Sequence, residues 1–117
     1  MERCLKDDVI IITTDERFDA ESAPKFKELV TDMNPCQGMK LVIDVSKTYF
    51  IDSSASGALV AAWRFVKRHD GEMKIAGPSQ HLKSLFRLVR ISQVVDMYET
   101  VEQAVAAFVV QEGAAKG

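Results

Sequence analysis

The sequence predicts a single α/β domain built on a mostly parallel β-sheet. Three observations support this prediction. First, predicted strands and amphipathic helices alternate in the order β-β-α-β-α-β-α-β-α. Second, the run at Lys40–Val45 is almost continuously apolar, which is typical of a parallel strand buried on both faces. Third, 117 residues suit one domain. We expect four to five strands, an antiparallel edge strand and about four helices, with the domain over residues 1–112 and a flexible tail over 113–117.

The first third of the chain predicts two strands and a helix. Val9–Thr14 is a β-branched run, and a weaker strand near Arg3–Leu5 precedes it, so the two predict an antiparallel edge. From Ser22 onward, apolar residues recur at helical spacing, and this helix is expected to stop at Asn34–Pro35. Its apolar positions are Ala23, Phe26, Leu29 and Val30.

The middle of the chain predicts a strand, a long helix and a second strand. After the strand at Lys40–Val45, a short connection leads through Phe50–Ile51 to Ser53. From there to about His69, the apolar stripe predicts an amphipathic helix. A short strand follows at Met73–Gly77.

The last third predicts two further helices and one strand. Ser79 is expected to cap a helix that carries Leu82 and Phe86 on one face. A short strand is expected at Val94–Tyr98, and Thr100 is expected to cap the final helix.

Composition and charge exclude several classes of protein. Hydrophobic residues make up 47% of the chain, charged residues 27%, and the net charge of −2 does not suit direct binding to nucleic acid. No apolar run approaches the roughly 20 residues that cross a bilayer, and no secretory signal begins the chain, so we expect a cytoplasmic protein with no membrane contact. Cys4 and Cys36 form no disulfide or metal-ligand pattern and are expected to be free thiols.

Cofactor and metal motifs are missing from the sequence. Neither glycine-rich phosphate-binding motif occurs, so no nucleotide cofactor is expected. His69 and His81 have no second ligand at a useful spacing, so no metal site is expected either.

A serine hydrolase is the enzymatic alternative, because a serine stands where a strand gives way to a helix. Such a nucleophile needs small residues two positions to either side, and around Ser54 those positions hold Asp52 and Ser56. A catalytic triad would also need His69 or His81 and an orienting acid, for which the candidates are Asp70 and Asp96. We therefore expect no catalytic residues and no enzyme activity.

The serines after Asp52 have a further interpretation. Ser53 is expected to cap the helix, so Ser54 would occupy its first position with the hydroxyl exposed. Gly57 within the helix costs about 0.5–1 kcal/mol relative to alanine, which indicates close approach of the sheet or of a partner chain. Such a helix start can receive a partner or a phosphate.

The stretch "VIDVSKTYFIDSSASG", with "RFDAESAPKFKEL" before it and "VVDMYETVEQAVAAF" after it, resembles the STAS domain of bacterial anti-sigma factor antagonists. The resemblance covers nearly the whole chain in the family's order. The family often has glycine where this chain has Ala55, a bulky aliphatic residue at Ser56, and a glycine after the third helix, where this chain reads "LVRIS".

The resemblance implies a partner-switching protein without catalytic activity. The serine phosphorylated in the family corresponds to Ser54, with Ser53 and Ser56 as alternatives. The implied partners are an anti-sigma factor that is itself a serine/threonine kinase, and a serine phosphatase. The protein is expected to be a monomer or a weak dimer. Residues expected to contact the partner are Asp19, Asp52, Ser53, Ser54, Ala55 and Ser56. The alternative is a STAS-like adaptor or scaffold in a signalling or transport assembly that phosphorylation does not control.

Overall fold

Strands and helices alternate along the chain as the sequence predicts. The computed structural model describes residues 1–32 and 36–116, with side chains described up to residue 108. In chain order, the elements are β1 (Glu2–Lys6), β2 (Val9–Thr13), β3 (Arg17–Phe18), α1 (Ala23–Thr31), β4 (Lys40–Asp44), β5 (Phe50–Ile51), α2 (Ser53–Arg68), β6 (Glu72–Ala76), α3 (Gln80–Leu88), a 3₁₀ turn (Ile91–Gln93), β7 (Asp96–Tyr98) and α4 (Val101–Lys116).

The main sheet has five strands in the order β1-β2-β4-β6-β7. Only the β1–β2 pair is antiparallel, and the other three pairings are parallel. The predicted fold class is therefore confirmed, including the antiparallel edge strand. Each parallel connection in the main sheet contains one helix, as is usual for parallel neighbours.

Alternate residues of the strands build a separate core on each face of the sheet. On one face, strand residues such as Ile12, Ile43 and Ile75 pack with side chains of α1, α2 and α3. On the other face, a smaller core forms beneath α4, and its α4 members are Ala104, Val105 and Phe108. The period of two along each strand produces this division.

The sequence did not predict two short strands and one 3₁₀ turn. β3 and β5 form a separate two-stranded parallel sheet, in which Arg17 pairs with Phe50 and Phe18 with Ile51. The 3₁₀ turn follows Arg90, a non-glycine residue in the left-handed conformation with φ of 66°. The main-sheet strands themselves begin and end within two residues of their predicted positions.

The helices α1 and α4 end close to residues outside the described ranges. The predicted stop of α1 at Asn34–Pro35 lies outside the described residues, and α1 ends at Thr31. The helix α4 continues as backbone through residues 113–116, where the sequence predicts a flexible tail, and Gly117 is outside the described residues. The proposed domain boundary at residue 112 stays a prediction.

Thr100 caps α4 as expected, because its hydroxyl accepts a hydrogen bond from the Gln103 N–H at 3.1 Å.

Lys74 carries a charge into the core beneath α4. Its side chain is 1% exposed, with Nζ 3.6 Å from Oε2 of Glu72 and 3.6 Å from Oδ2 of Asp96. Nζ also lies 4.9 Å from the centre of the Phe108 ring. The two carboxylates and the ring face together compensate the buried ammonium group.

Candidate functional site

The start of α2 is capped by Asp52. Its backbone is extended, and its Oδ1 accepts a hydrogen bond from the Ala55 N–H at 3.0 Å. The prediction that Ser53 caps this helix is therefore wrong, and Ser53 is the first helical residue instead. A carboxylate is favoured here because the free N–H groups give the helix start a partial positive charge.

Asp52 also connects two segments that are far apart in sequence. Its Oδ2 accepts a hydrogen bond from the Ala20 N–H at 3.0 Å, in the loop between β3 and α1. Its own N–H donates to the Phe18 carbonyl at 3.3 Å, which continues the pairing of β3 with β5. The carboxylate expected to contact a partner therefore also fixes the architecture of the site.

Asp19 lies in the loop that Asp52 holds, as the resemblance implies. Its Oδ1 accepts hydrogen bonds from the N–H groups of Glu21 (3.1 Å) and Ser22 (3.4 Å), and Oδ2 lies 3.4 Å from Nε of Arg17. Partial burial alone would raise the pKa of Asp19, but these hydrogen bonds outweigh it and lower the pKa below its ordinary value. The carboxylate is thus held ionised beside α2.

Arg17 and two aromatic residues complete this surface, and sequence reasoning did not identify them. The Arg17 guanidinium lies 4.4 Å from the centre of the Phe50 ring, and Tyr49 is 56% exposed. Interaction with Tyr49, assisted by Asp19, raises the pKa of Arg17. The adjacent aromatic residues Tyr49 and Phe50 were the one available signal in the sequence, because aromatic residues are enriched at protein interfaces.

The hydroxyls that follow Asp52 face outward. Ser53 and Ser54 are exposed and Ser56 is half-buried. Within the described part of the chain, none of these three hydroxyls has a hydrogen-bond partner, and the N–H groups of Ser53 and Ser54 have no acceptor. The first turn of α2 thus presents free donors and free hydroxyls to the solvent.

Ala55 does not belong to this surface, contrary to its predicted role as a partner contact. Its side chain is fully buried in the main core, because it lies on the apolar stripe of α2. Gly57 is exposed, and a Cβ placed on it would meet no atom within 4 Å. Close approach of the sheet therefore does not explain Gly57, which leaves an external partner as the explanation that the sequence suggested.

The arrangement does not support a serine hydrolase. His69 is the C-cap of α2, and the rise of the helix places it roughly 20 Å from Ser54. Its Nδ1 is 2.9 Å from the Phe65 carbonyl oxygen, so the ring interacts with a carbonyl at the C-terminal end of the helix. His81 is exposed on α3 and contacts neither Ser54 nor a carboxylate among the described residues.

The described residues contain neither a cluster of metal ligands nor a helix that could cross a membrane. Among the side chains of residues 1–32 and 36–108, no group of three or more His, Cys, Asp or Glu could hold a metal ion. No helix in that same part of the chain is both long enough and apolar enough to span a membrane.

Comparison with known proteins identifies similar sequences and folds. The STAS domain family matches residues 4–104. The chain is 29% identical over 80 residues to the anti-sigma-B factor antagonist of Listeria monocytogenes serovar 1/2a, covering 68% of this chain and 70% of that protein.

Two solved structures show the same fold. An anti-sigma-factor antagonist (STAS) domain protein from Planctomyces limnophilus has a TM-score of 0.80 at 21% identity, covering 92% of this chain and 97% of that one. The anti-sigma factor antagonist SpoIIAA in its unphosphorylated form has a TM-score of 0.69 at 13% identity, covering 92% and 96%.

Proposed function

The chain belongs to the STAS domain family, and on that premise we propose that it is an anti-sigma factor antagonist switched by phosphorylation of Ser54. In its unmodified form it binds an anti-sigma factor through the surface around the start of α2. That partner, or a kinase associated with it, phosphorylates Ser54 and releases the antagonist. A serine phosphatase restores the binding form.

The observation that carries this proposal is the exposed, unpartnered hydroxyl of Ser54 at a helix start that is already capped. Asp52 already caps α2, so neither Ser53 nor Ser54 is needed for the helix to begin. A kinase needs an accessible hydroxyl, and Ser54 offers one. The name of the Listeria relative supports the anti-sigma factor as the class of partner.

The binding surface consists of the first turn of α2 and the loop before α1. Asp52 joins these two segments through its hydrogen bonds to Ala55 and Ala20. We propose that Asp19, Asp52, Ser53, Ser54 and Ser56 contact the partner, together with the exposed Tyr49. Gly57 continues the surface with a flat helical turn that a partner chain can approach closely.

A phosphate on Ser54 changes binding without unfolding the domain. It adds about −1.5 to −2 charges, and the free N–H groups of Ser53 and Ser54 favour an anion at this helix end. Facing an acidic group of the partner at about 4 Å, even one such charge costs on the order of 4 kcal/mol at an effective dielectric constant near 20. Affinity then falls by about a thousandfold.

The first experiment asks which hydroxyl is modified. The protein is incubated with ATP and extract of its native cells, and its intact mass and modified residue are determined by mass spectrometry. We expect one added phosphate, lost in Ser54→Ala and retained in Ser53→Ala and Ser56→Ala. Phosphate on Ser53 or Ser56 instead would relocate the switch. No phosphate under any growth condition would refute it and favour the STAS-like adaptor.

A further inference from the structure

The edge strand β1 is exposed along its whole length. All five residues of β1 are solvent-exposed, and the exposed fraction of Leu5 is 69%. In the described sheet, β1 has β2 as its neighbour on one side and no strand on the other. An open strand edge presents N–H and C=O groups that another strand can bind.

The turn between β1 and β2 determines which backbone groups point outward. Asp7 and Asp8 have φ of 52° and 66°, as in a type I′ turn, which closes with a hydrogen bond from the Val9 N–H to the Lys6 carbonyl. Hydrogen-bonded and non-hydrogen-bonded pairs alternate along an antiparallel ladder. The outward-facing backbone groups of β1 are therefore those of Arg3 and Leu5.

We propose that two copies of this chain associate through their β1 strands, antiparallel and centred on Cys4. In this register, Arg3 of one copy exchanges hydrogen bonds with Leu5 of the other, so both outward-facing residues of each strand are used. Registers centred on Arg3 or on Leu5 use fewer of these groups. The result is one continuous sheet across the two copies.

The side chains of β1 complement themselves in the same register. Glu2, Cys4 and Lys6 alternate along the strand and share one face. Centring on Cys4 places Glu2 of each copy opposite Lys6 of the other, so two pairs of opposite charge form. Lys6 has an exposed partner in its own chain, Glu102 Oε1 at 3.9 Å, which a closer strand-to-strand pair can replace.

The opposite face of β1 is compatible with this pairing. The Arg3 side chain is held away from the edge by a hydrogen bond from Nη1 to the Leu29 carbonyl at 2.6 Å. Its aliphatic stem lies opposite Leu5 of the second copy and covers part of that exposed side chain. Since a short strand edge buries little area, we expect a weak and reversible dimer.

This surface is separate from the one proposed for the anti-sigma factor. No residue of β1 belongs to the first turn of α2 or to the loop before α1. The dimer proposal therefore does not depend on the proposed function, and each can fail alone.

Cys4 provides a direct probe of the register. It would form a non-hydrogen-bonded pair with Cys4 of the second copy, at a Cα separation of about 4.5 Å, within the range that a disulfide spans. With copper–phenanthroline and oxygen as the oxidant, the two thiols lose two protons and two electrons and form one S–S bond. We expect rapid formation of a covalent dimer in the Cys36→Ser variant, on a non-reducing gel. Cys4→Ser, which keeps the exposed Cys36, reports the rate of random collision.

Charge-swap variants test the specificity of the pairing. In the Cys36→Ser background, Glu2→Lys places like charges opposite each other at two symmetric positions, so we expect about tenfold weaker association. The double variant Glu2→Lys/Lys6→Glu restores opposite charges and should restore association. Reduced protein is measured in parallel by sedimentation velocity, where the mass should rise with concentration from 13.0 kDa toward twice that value.

Three results would overturn the proposal. One is a monomer at every concentration, and another is cross-linking through Cys4 no faster than through Cys36. The third is failure of the double swap to restore association while circular dichroism shows that the variant is folded. Any of these would leave the charges of β1 as protection of an open sheet edge instead.

Discussion

The starts of α2 and α3 are built alike but present different surfaces. In each helix, the residue before the first turn has an extended backbone and accepts a hydrogen bond from an N–H three positions later. The distance from Ala55 N to Asp52 Oδ1 is 3.0 Å, and that from Leu82 N to Ser79 Oγ is 3.2 Å. Each helix therefore has the cap that it needs to begin.

The differences lie beyond the cap. Asp52 uses its second oxygen to hold the loop before α1, whereas Ser79 makes one capping bond from its side chain. Two exposed hydroxyls follow Asp52, while Gln80 and His81 follow Ser79. Because Asp52 already caps α2, the two exposed hydroxyls are not needed for capping, which points to a role on the surface.

The largest expected effect is on partner affinity, when a negative charge is added at the start of α2 or of α3. Ser54→Asp should weaken binding to the anti-sigma partner by about a thousandfold, because the new carboxylate faces the interface. Ser79→Asp adds the same charge at the start of α3 and should leave binding unchanged, since aspartate is also a good cap. Capture of partners from native lysate, followed by calorimetric titration with the captured protein, measures both. Equal binding by the two variants would contradict the assignment of the surface to α2.

The next effect is on the free energy of unfolding, which should fall further when the cap of α2 is removed than when the cap of α3 is removed. Asp52→Ala loses the cap and the hydrogen bond to Ala20, so we expect the free energy of unfolding to fall by about 2–3 kcal/mol. Ser79→Ala loses one cap and should cost about 1 kcal/mol.

Ser53→Ala is the matched control for these caps, because Ser53 caps nothing and its loss should change stability by less than about 0.5 kcal/mol. Urea denaturation measures all three variants. A larger loss for Ser53→Ala than for Asp52→Ala would restore Ser53 as the cap.

Substitution of Gly57 should have opposite effects on the stability of the domain and on its affinity for the partner. A Cβ at this position meets open space, so Gly57→Ala should stabilise the domain by about 0.5–1 kcal/mol through helix propensity. If a partner lies against this turn, the same variant should bind it several-fold more weakly. Thermal unfolding and the calorimetric titration check the two parts. Higher stability with unchanged affinity would remove Gly57 from the interface.

The smallest effect concerns the acid dependence of the loop before α1. Because the pKa of Asp19 is lowered in the folded chain, the unfolded chain takes up its proton first as the pH falls. The stabilisation from Asp19 is thus complete above its ordinary value of 3.8 and is lost below it, as the pH falls through the folded pKa. Asp19→Asn should lose stability at neutral pH and converge with the wild type in acid. Parallel curves in acid titrations followed by circular dichroism would argue against this.

The mostly parallel sheet and the order of its elements along the chain could be predicted because their signals are local. Strand and helix periodicities alternate, and alternating elements give parallel neighbours with the helices in the connections. The caps at Ser79 and Thr100 were also predictable, since each is a good capping residue directly before a helical pattern.

What the sequence did not predict depends on contacts distant in the chain. Asp52 and Ser53 are both good caps, and an N–H at Ala20, 32 residues away, helps to decide between them. β3 and β5 are two residues each and exist because they pair with each other. Arg90 occupies a left-handed position after α3, a conformation that glycine adopts most easily, and no local pattern predicts it.

The most direct test of the switch is the affinity of the anti-sigma partner for this protein carrying one phosphate on Ser54, compared with the unmodified protein. We expect binding to be at least about a thousandfold weaker, with the thermal unfolding temperature nearly unchanged. Equal affinity of the two forms, or loss of binding only because the modified domain unfolds, would contradict the account.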